Sequence, residues 1–264
     1  MTDEAPPIDI SVPHSARIWN YWLGGQDNYE VDRLAGDRYR ATYPDVTRLA
    51  RASRAFLARA LRYLVEEAGL RQFVDVGTGL PTADNTHEIA QRIAPESRVL
   101  YVDNDPLVLA HARALLVSGP AGAADYADAD LHDPAAILAA ADRALDLTRP
   151  VGVIFSGVLG HVEKYEDARS IVTRLLLPLA PGSHLLLSDG TSVFAQACAD
   201  AQREYNDSGA VPYHLRSPED ITGFFDGLRL VEPGVVPCPR WRPASDGPVA
   251  DGELDIFGGV GRKP

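Results

Sequence analysis

The sequence lacks long apolar runs, clustered cysteines and an excess of basic residues, and each absence excludes a class of protein. A membrane-spanning helix needs about 18 or more consecutive apolar residues, and no such run occurs. The two cysteines, Cys198 and Cys238, form no CxxC pair and lie near no histidine cluster. The sequence therefore indicates no membrane segment, no metal site and no disulfide framework.

The charge balance is acidic. The 25 lysines and arginines are outnumbered by 37 aspartates and glutamates, and the net charge is −12. A field of this sign repels a phosphate backbone, so we do not expect nucleic acid as a partner. Residues 1–9 carry acids and prolines instead of a basic stretch followed by an apolar run. We therefore expect no secretory signal and a cytoplasmic protein.

Residues 1–68 are predicted to form a helical extension, poorly ordered over 1–13. A short aromatic helix capped by Ser15 is predicted to end at Gly24 and Gly25. After Pro44, apolar residues recur at the three- and four-residue spacing of one long amphipathic helix. The residues expected on its buried face are Val46, Leu49, Ala50, Ser53, Phe56, Leu57, Ala60, Leu61, Leu64 and Val65.

From residue 69 onwards, short apolar runs alternate with helical patterns. The runs are too short for core helices and suit strands buried on both faces; they lie at 73–76, 99–102, 151–155 and 184–187. The helical patterns lie at 87–93, 107–116, 134–145 and 165–179. This alternation predicts an α/β domain over 69–264 with a parallel sheet. Two further runs, 228–231 and 254–257, suggest a closing hairpin.

A glycine-rich turn follows the first predicted strand. Open α/β sheets bind ligands beyond the carboxyl ends of their strands, so we assign Asp75, Gly77, Thr78 and Gly79 to a ligand site. A GxG turn alone is also what a tight strand-to-helix connection requires. Acids at the next two strand ends favour the ligand interpretation.

These acids are Asp103 and Asp130, at the ends of the second and third predicted strands. Asp103 can accept the hydroxyl protons of a ribose, as acids do in dinucleotide-binding folds. Asp130 can accept from an adenine amino group, with Leu131 against the ring. Either acid alone would also suit a solvated loop or a helix cap. The prediction of a nucleoside site depends on their occurring together.

The turn favours S-adenosylmethionine over a nicotinamide dinucleotide. A dinucleotide site needs G-x-G-x-x-G so that the pyrophosphate can approach the helix, and here Thr82 takes the third glycine position. S-adenosylmethionine has no phosphate and carries an ammonium and a sulfonium group, which suit the nearby Asp75. A P-loop is excluded because no G-K-[ST] follows the turn.

A more specific pattern is carried by SARIWNYWLGGQDNY at 15–29, DVGTGLPT at 75–82, YVDNDP at 101–106 and ADLHDP at 129–134. These runs resemble an S-adenosyl methyltransferase family that is common in actinobacteria and was long of unknown function. The resemblance implies a Rossmann-like class I methyltransferase fold: a mostly parallel seven-stranded sheet, helices on both faces and an N-terminal helical extension. It also implies S-adenosyl-L-methionine as cofactor and an undefined methyl acceptor. To the cofactor site we further assign Asn104 and Ser156.

His161, after the fourth predicted strand, is the candidate general base, with Glu163 as its orienting partner. Methyl transfer is an in-line displacement at an activated carbon, so the protein mainly positions two reactants and removes one proton. The resembling family tends to have a Leu-His pair here, whereas this sequence has Leu159-Gly160-His161. A structural or solvent-facing histidine is the alternative interpretation.

The aromatic N-terminal segment is a candidate lid. Trp19, Tyr21 and Trp22 are concentrated before Gly24 and Gly25, which can act as a hinge. In a lid, Asn20 and Tyr21 would contact the cofactor. The alternative is that the aromatics only pack the first helices onto the sheet.

Three functions remain open on the sequence alone. A methyltransferase acting on a small molecule is favoured by the acidic charge and the compact size. A nicotinamide oxidoreductase is disfavoured by Thr82. A regulatory protein that binds the cofactor without catalysis remains possible because no strong proton-transfer signature is present. The acceptor, the atom methylated and the oligomeric state are left open.

Overall fold

The computed structural model describes residues 9–81, 84–108, 110, 121–243 and 253–264. Its helices are α1 (Ser15–Trp22), α2 (Glu30–Thr42), α3 (Val46–Glu66), α4 (Thr86–Ile93), α5 (Pro134–Ala144), α6 (Tyr165–Leu176), α7 (Gln196–Asn206) and α8 (Pro218–Gly223). Single turns of 3₁₀ helix lie at Leu159–His161 and Cys238–Arg240.

One mixed sheet joins β1 (Gln72–Val76), β2 (Arg98–Asp103), β3 (Ala123–Asp128), β4 (Gly152–Ser156), β5 (His184–Gly190), β6 (Arg229–Leu230), β7 (Val236–Pro237) and β8 (Ile256–Arg262). The order is β3-β2-β1-β4-β5-β8-β6, and β7 pairs with β8 beside this path. Strands β1 to β5 are parallel, and β8 runs antiparallel to β5 and β6. The prediction of a mostly parallel seven-stranded sheet is confirmed, with β7 as a short addition.

Helices cover both faces of the sheet because successive strand side chains point into two apolar layers. Phe73 and Ile154 point into the layer formed with α1 to α4 and α7. Val74 and Val153 point into the layer formed with α5, α6 and α8. Parallel strands covered in this way need apolar residues at nearly every position, which explains the short continuous runs in the sequence.

Helix α3 packs along the first layer with the face that its periodicity predicts. Every residue expected on that face is buried. Phe56 of α3 is fully buried against β8, where a β-carbon at Gly258 would lie 2.7 Å from its ring. Burying such a side chain contributes about 1.5–3 kcal/mol. Glycine in this strand therefore permits the close approach of the helix.

Two details differ from the predictions. Helix α1 begins at Ser15, so the capping position is held by His14, whose side chain makes no capping hydrogen bond. The last strand continues to Arg262, which pairs with Arg229 of β6, instead of ending near residue 257. Its glycines interrupt the apolar run because they make room for packed neighbours, so the pattern understated the strand.

Some predictions lie outside the described residues. These are the character of residues 1–8, most of the helix predicted at 107–116, and the position of Thr82. Within the described ranges, no helix combines the length and apolar character needed to cross a membrane.

Candidate functional site

The candidate site lies at the topological switch point between β1 and β4, where the strand order changes direction. β2 and β3 extend the sheet on one side of β1, and β4 and β5 on the other. The turns after β1 and β4 meet closely: a β-carbon at Gly77 would lie 2.2 Å from Cγ2 of Val158. Both Gly77 and Gly157 have positive φ, 69° in each case. Open α/β sheets bind ligands in such a crevice.

The glycine turn is held by backbone and side-chain hydrogen bonds. The Gly77 amide donates to the Val102 carbonyl at 2.8 Å. The Thr78 hydroxyl donates to the Asp75 carbonyl at 3.0 Å. The Gly79 amide donates to Oδ2 of Asp103 at 2.8 Å. The turn after β1 and the acid at the end of β2 are therefore joined by a direct hydrogen bond.

Asp103 is mostly buried, and burial raises the pKa of its carboxyl above the ordinary value of 3.8. Amide donors oppose this effect, because Oδ1 accepts from the Asp105 amide at 3.0 Å as well as Oδ2 from Gly79. Both carboxylate oxygens are thus held by backbone amides at the edge of the sheet. A ligand hydroxyl placed there can share or replace these donors.

Asp130 and Asn104 lie beside each other at the outer part of this edge. Nδ2 of Asn104 donates to Oδ2 of Asp130 at 3.3 Å. Oδ1 of Asp130 accepts from the His132 amide at 2.8 Å, a bond that lowers the pKa of the carboxyl. Leu131 is half-buried against the second apolar layer. The glycine turn after β1, Asp103 after β2 and Asp130 after β3 therefore follow one another along the edge.

Asp75 is buried beneath the turn rather than open to the crevice. Its Oδ2 accepts from the Thr86 hydroxyl at 2.6 Å. Burial raises the pKa of Asp75 from 3.8 to about 6, although the Thr86 bond and the charge of Arg54 both lower it. Asp75 therefore supports the turn and the start of α4, and it adds negative charge below the site.

Helix α1 lies over the crevice. A β-carbon at Gly79 would lie 3.8 Å from that of Ala16, and one at Gly157 would lie 3.9 Å from the Trp19 ring. Asn20 is buried, and its Oδ1 accepts from Nδ2 of Asn28 at 2.9 Å.

Two other predicted site residues have protein partners. Tyr21 is turned towards α2, where its hydroxyl donates to Asp37 at 2.8 Å. The Ser156 hydroxyl, at the end of β4, is 3.4 Å from that of Ser188.

His161 lies in the 3₁₀ turn after β4, and its ring is fixed by the segment that follows α7. Nδ1 is 2.9 Å from the Pro212 carbonyl oxygen. The expected partner was Glu163, so this prediction is wrong. A carbonyl can only accept, so Nδ1 carries the hydrogen and Nε2 keeps a lone pair. The ring meets that of Tyr213 edge-on at 5.1 Å. Burial lowers the pKa of His161 below 6.5, which keeps the imidazole neutral near pH 7.

Sequence reasoning missed Asp189 and Tyr213, which support His161 from below. The Tyr213 hydroxyl donates to Oδ1 of Asp189, and the Gly190 amide lies 3.1 Å from that hydroxyl. Burial raises the pKa of Asp189 to about 6. A β-carbon at Gly160 would lie 2.4 Å from the Tyr213 ring, so glycine is required in Leu159-Gly160-His161. Asp189 is the penultimate residue of β5 and could have been found by the strand-end rule, whereas Tyr213 has no sequence signal.

The residues at the edge suit S-adenosylmethionine. The ligand is cationic, and Asp75, Asp103 and Asp130 give the edge negative charge. Glycine at 77 and 79 leaves the backbone open to close approach. Near Asp103, the Tyr126 hydroxyl is buried and has no hydrogen-bond partner among the described residues. A bound ligand can supply that partner.

A cavity of about 440 Å³ lies at the opposite edge of the sheet. Its lining includes the first residues of β1 and β5, Gln72 and His184. It is remote from the glycine turn and the strand-end acids. The carboxyl edge is therefore the site that combines a switch point, glycines and titratable groups.

The fold and this edge define a Rossmann-like methyltransferase domain. Over residues 1–264 the sequence matches the family described as S-adenosyl methyltransferase. The chain belongs to this family, and S-adenosyl-L-methionine is its cofactor. No curated protein matches the sequence.

Solved structures agree with this assignment. A DUF574 family protein from Streptomyces avermitilis MA-4680 is 46% identical, covers 98% of this chain and 100% of its own, and superimposes with a TM-score of 0.93. A candidate methyltransferase from Thermobifida fusca YX is 36% identical over 100% of this chain and 99% of its own, with a TM-score of 0.89. An O-methyltransferase family 2 protein from Planctomyces limnophilus DSM 3776, 16% identical, covers 89% of this chain and 67% of its own and shares the fold at a TM-score of 0.50.

Proposed function

We propose that this methyltransferase transfers a methyl group to a small molecule in the cytoplasm, at the carboxyl edge between β1 and β4. The observation that carries the proposal is the joint placement of the glycine turn and Asp103, linked by the Gly79 amide at 2.8 Å. The net charge of −12 supports a small acceptor over nucleic acid.

In this proposal Asp103 accepts the ribose hydroxyls, and Asn104 assists it. Asp130 accepts from the adenine amino group, with Leu131 against the ring. The backbone of Gly77, Thr78 and Gly79 lies against the amino acid portion, and Asp75 below supplies negative charge for its ammonium. Ser156 closes the site on the side of β4. Bound here, the cofactor supplies a methyl carbon activated by positively charged sulfur.

His161 is the proposed general base. The Pro212 carbonyl holds the tautomer with hydrogen on Nδ1, so Nε2 can take a proton from the acceptor. Its lowered pKa keeps the base neutral at the pH of the cytoplasm. Pro212 and Tyr213 act as positioning residues because they hold the His161 ring.

Residues 1–68 are proposed to be a lid over the cofactor as well as part of the core. Ala16 and Trp19 on one face of α1 lie over the turns after β1 and β4. Gly24, with φ of 85°, and Gly25 follow α1 and supply a hinge. On this proposal Asn20 and Tyr21 exchange their present partners for the cofactor when it binds.

Binding and transfer test the proposal separately. Calorimetry should show the full-length protein binding S-adenosylhomocysteine, and Asp103→Asn should weaken that binding at least tenfold. Asp125→Asn is the control, because Asp125 is exposed on the edge strand β3. With the wild type and a whole-cell extract, labelled methyl from S-adenosylmethionine should appear in the small-molecule fraction. Equal binding by both variants, or label found only in macromolecules, would contradict the proposal.

A further inference from the structure

An apolar cavity lies beside the proposed cofactor site. It lies between α1, α2 and α3 on one side and α7 on the other, and Gly157, His161 and Gly190 form its end at the carboxyl edge of the sheet. Helix α1 links the two sites: Ala16 lies over Gly79, and Trp19 lies over Gly157. Three helical residues span only about 4.5 Å, so the cavity opens next to the glycine turn.

The walls of the cavity are aromatic. Trp19 and Trp22 meet with ring centroids 5.9 Å apart, Trp22 and Tyr39 at 5.0 Å, and Tyr39 and Tyr205 at 6.3 Å. All of these contacts are tilted or edge-on. Tyr213 adds a fifth ring beside His161. An aromatic wall of this kind favours an aromatic ligand against it, by stacking and edge contacts.

The cavity is narrow and uncharged towards a ligand. Its volume is about 60 Å³, room for a few water molecules, which excludes a bulky acceptor unless the lid helix α1 moves. Among the described residues that line it, none is lysine or arginine. Asp255 is buried, and its two carboxylate oxygens accept from the Phe194 amide at 2.8 Å and the Tyr43 hydroxyl at 3.4 Å. A phosphorylated acceptor would therefore find no positive charge in the cavity. An acceptor with an ammonium group would find the Asp255 carboxylate already hydrogen-bonded.

His161 and Tyr205 each offer a polar atom to a ligand. Nε2 of His161 carries a lone pair, because Nδ1 is committed to the Pro212 carbonyl. The Tyr205 hydroxyl is buried, and within the described ranges it has no hydrogen-bond partner. Tyr205 itself is 8% exposed and lines the cavity. An orphaned hydroxyl in an aromatic wall indicates that a polar group on a ligand completes it.

We infer that this cavity holds the methyl acceptor, and that the acceptor is a flat aromatic ring bearing a hydroxyl group, methylated on oxygen. The inference rests on the proposed function of the neighbouring edge. The acceptor oxygen bonds to the methyl carbon as the carbon–sulfur bond breaks, and its electron pair stays on sulfur. The hydroxyl proton passes to Nε2 of His161, and the products are an aryl methyl ether and S-adenosylhomocysteine.

Three matched probes separate ring, hydroxyl and shape: 4-methylphenol, 4-methylaniline and 4-methylcyclohexanol. Each is titrated into the full-length protein saturated with S-adenosylhomocysteine, and binding is followed by saturation-transfer NMR. We expect 4-methylphenol to bind at least fivefold more tightly than 4-methylcyclohexanol. With S-adenosylmethionine, labelled methyl should appear on 4-methylphenol and not on 4-methylaniline. Equal binding of ring and non-planar alcohol, or transfer only to the aniline, would overturn the inference.

A filling variant and a wall variant locate the binding. Leu215→Trp places a larger ring at the cavity, and Leu177→Trp is its control, because Leu177 is 73% exposed outside the cavity. The first should weaken 4-methylphenol binding at least tenfold and the second should not change it. If Leu215→Trp does not fold, Trp19→Leu should weaken the binding about threefold to tenfold, the range of an aromatic contact.

Binding of S-adenosylhomocysteine is measured for every variant and distinguishes the two failures. If the variants keep S-adenosylhomocysteine binding and their affinity for 4-methylphenol is unchanged, the inference of an aromatic acceptor is contradicted and the proposed function is not. If the wild type itself does not bind S-adenosylhomocysteine, the proposed function is contradicted.

Discussion

The buried carboxyl of Asp75 costs stability, and replacing it by asparagine should reveal how much. Its pKa is raised from 3.8 to about 6 by burial, and this value already includes the opposing effects of Thr86 and Arg54. A shift of about two units corresponds to roughly 3 kcal/mol. Asparagine keeps an oxygen to accept the Thr86 hydroxyl, which is now 2.6 Å from Oδ2. Asp75→Asn should therefore raise the free energy of unfolding at pH 7.

The sign follows from proton binding. Between about pH 4 and 6 the folded state holds the Asp75 proton more tightly than the unfolded state, so stability falls as the pH rises through this window. Below it the carboxyl is protonated in both states and the cost disappears. The difference between Asp75→Asn and wild type should therefore grow from near zero at pH 4 to about 3 kcal/mol at pH 7.

Urea unfolding at several pH values measures this difference. Other titrating groups, such as His184, act equally in both proteins and cancel. Asp125→Asn on β3 is the control and should stay within about 0.5 kcal/mol of wild type, as surface substitutions do. A difference that does not change with pH, or a destabilised Asp75→Asn, would refute the reasoning. The same variant should bind S-adenosylhomocysteine more weakly, a stability gain at the expense of function.

Further predictions concern the two ends of the site. Asp103→Ala should weaken S-adenosylhomocysteine binding by roughly 2 to 4 kcal/mol by calorimetry, because it removes a charge-assisted acceptor pair; unchanged affinity would reject the ribose assignment. His161→Ala should lower kcat more than it raises the KM of the acceptor, and wild-type kcat should rise with pH through a pKa below 6.5; full turnover in the variant would exclude a base role. Gly160→Ala should lose about 1–3 kcal/mol of stability through overlap with the Tyr213 ring, and a melting temperature equal to wild type would contradict that packing.

The fold was predictable because its signals are local. Parallel strands buried on both faces leave apolar runs such as Val151 to Phe155, and α3 leaves a clear helical period. The glycine turn and Asp103 could be placed because strand ends in a parallel sheet share one edge. Residue type and order along the chain carry this information.

The rest of the site depends on contacts distant in sequence. Pro212 and Tyr213 reach His161 from the segment after α7, and no spacing rule connects them. Proximity in sequence predicts Glu163 as the partner, but Nδ1 of His161 meets the carbonyl of Pro212 instead. The role of Gly258 in β8 cannot be predicted from the local pattern, because the ring that requires glycine there belongs to Phe56, about 200 residues earlier.

The most direct measurement of the central claim is a crystal structure of the full-length protein with S-adenosylhomocysteine. The ribose hydroxyls should lie within hydrogen-bond distance of Asp103, the adenine beside Asp130 and Leu131, and the sulfur should point towards the cavity at Trp19. The account would be contradicted if the nucleoside lay in the cavity at the opposite edge, near Gln72, and not at Asp103.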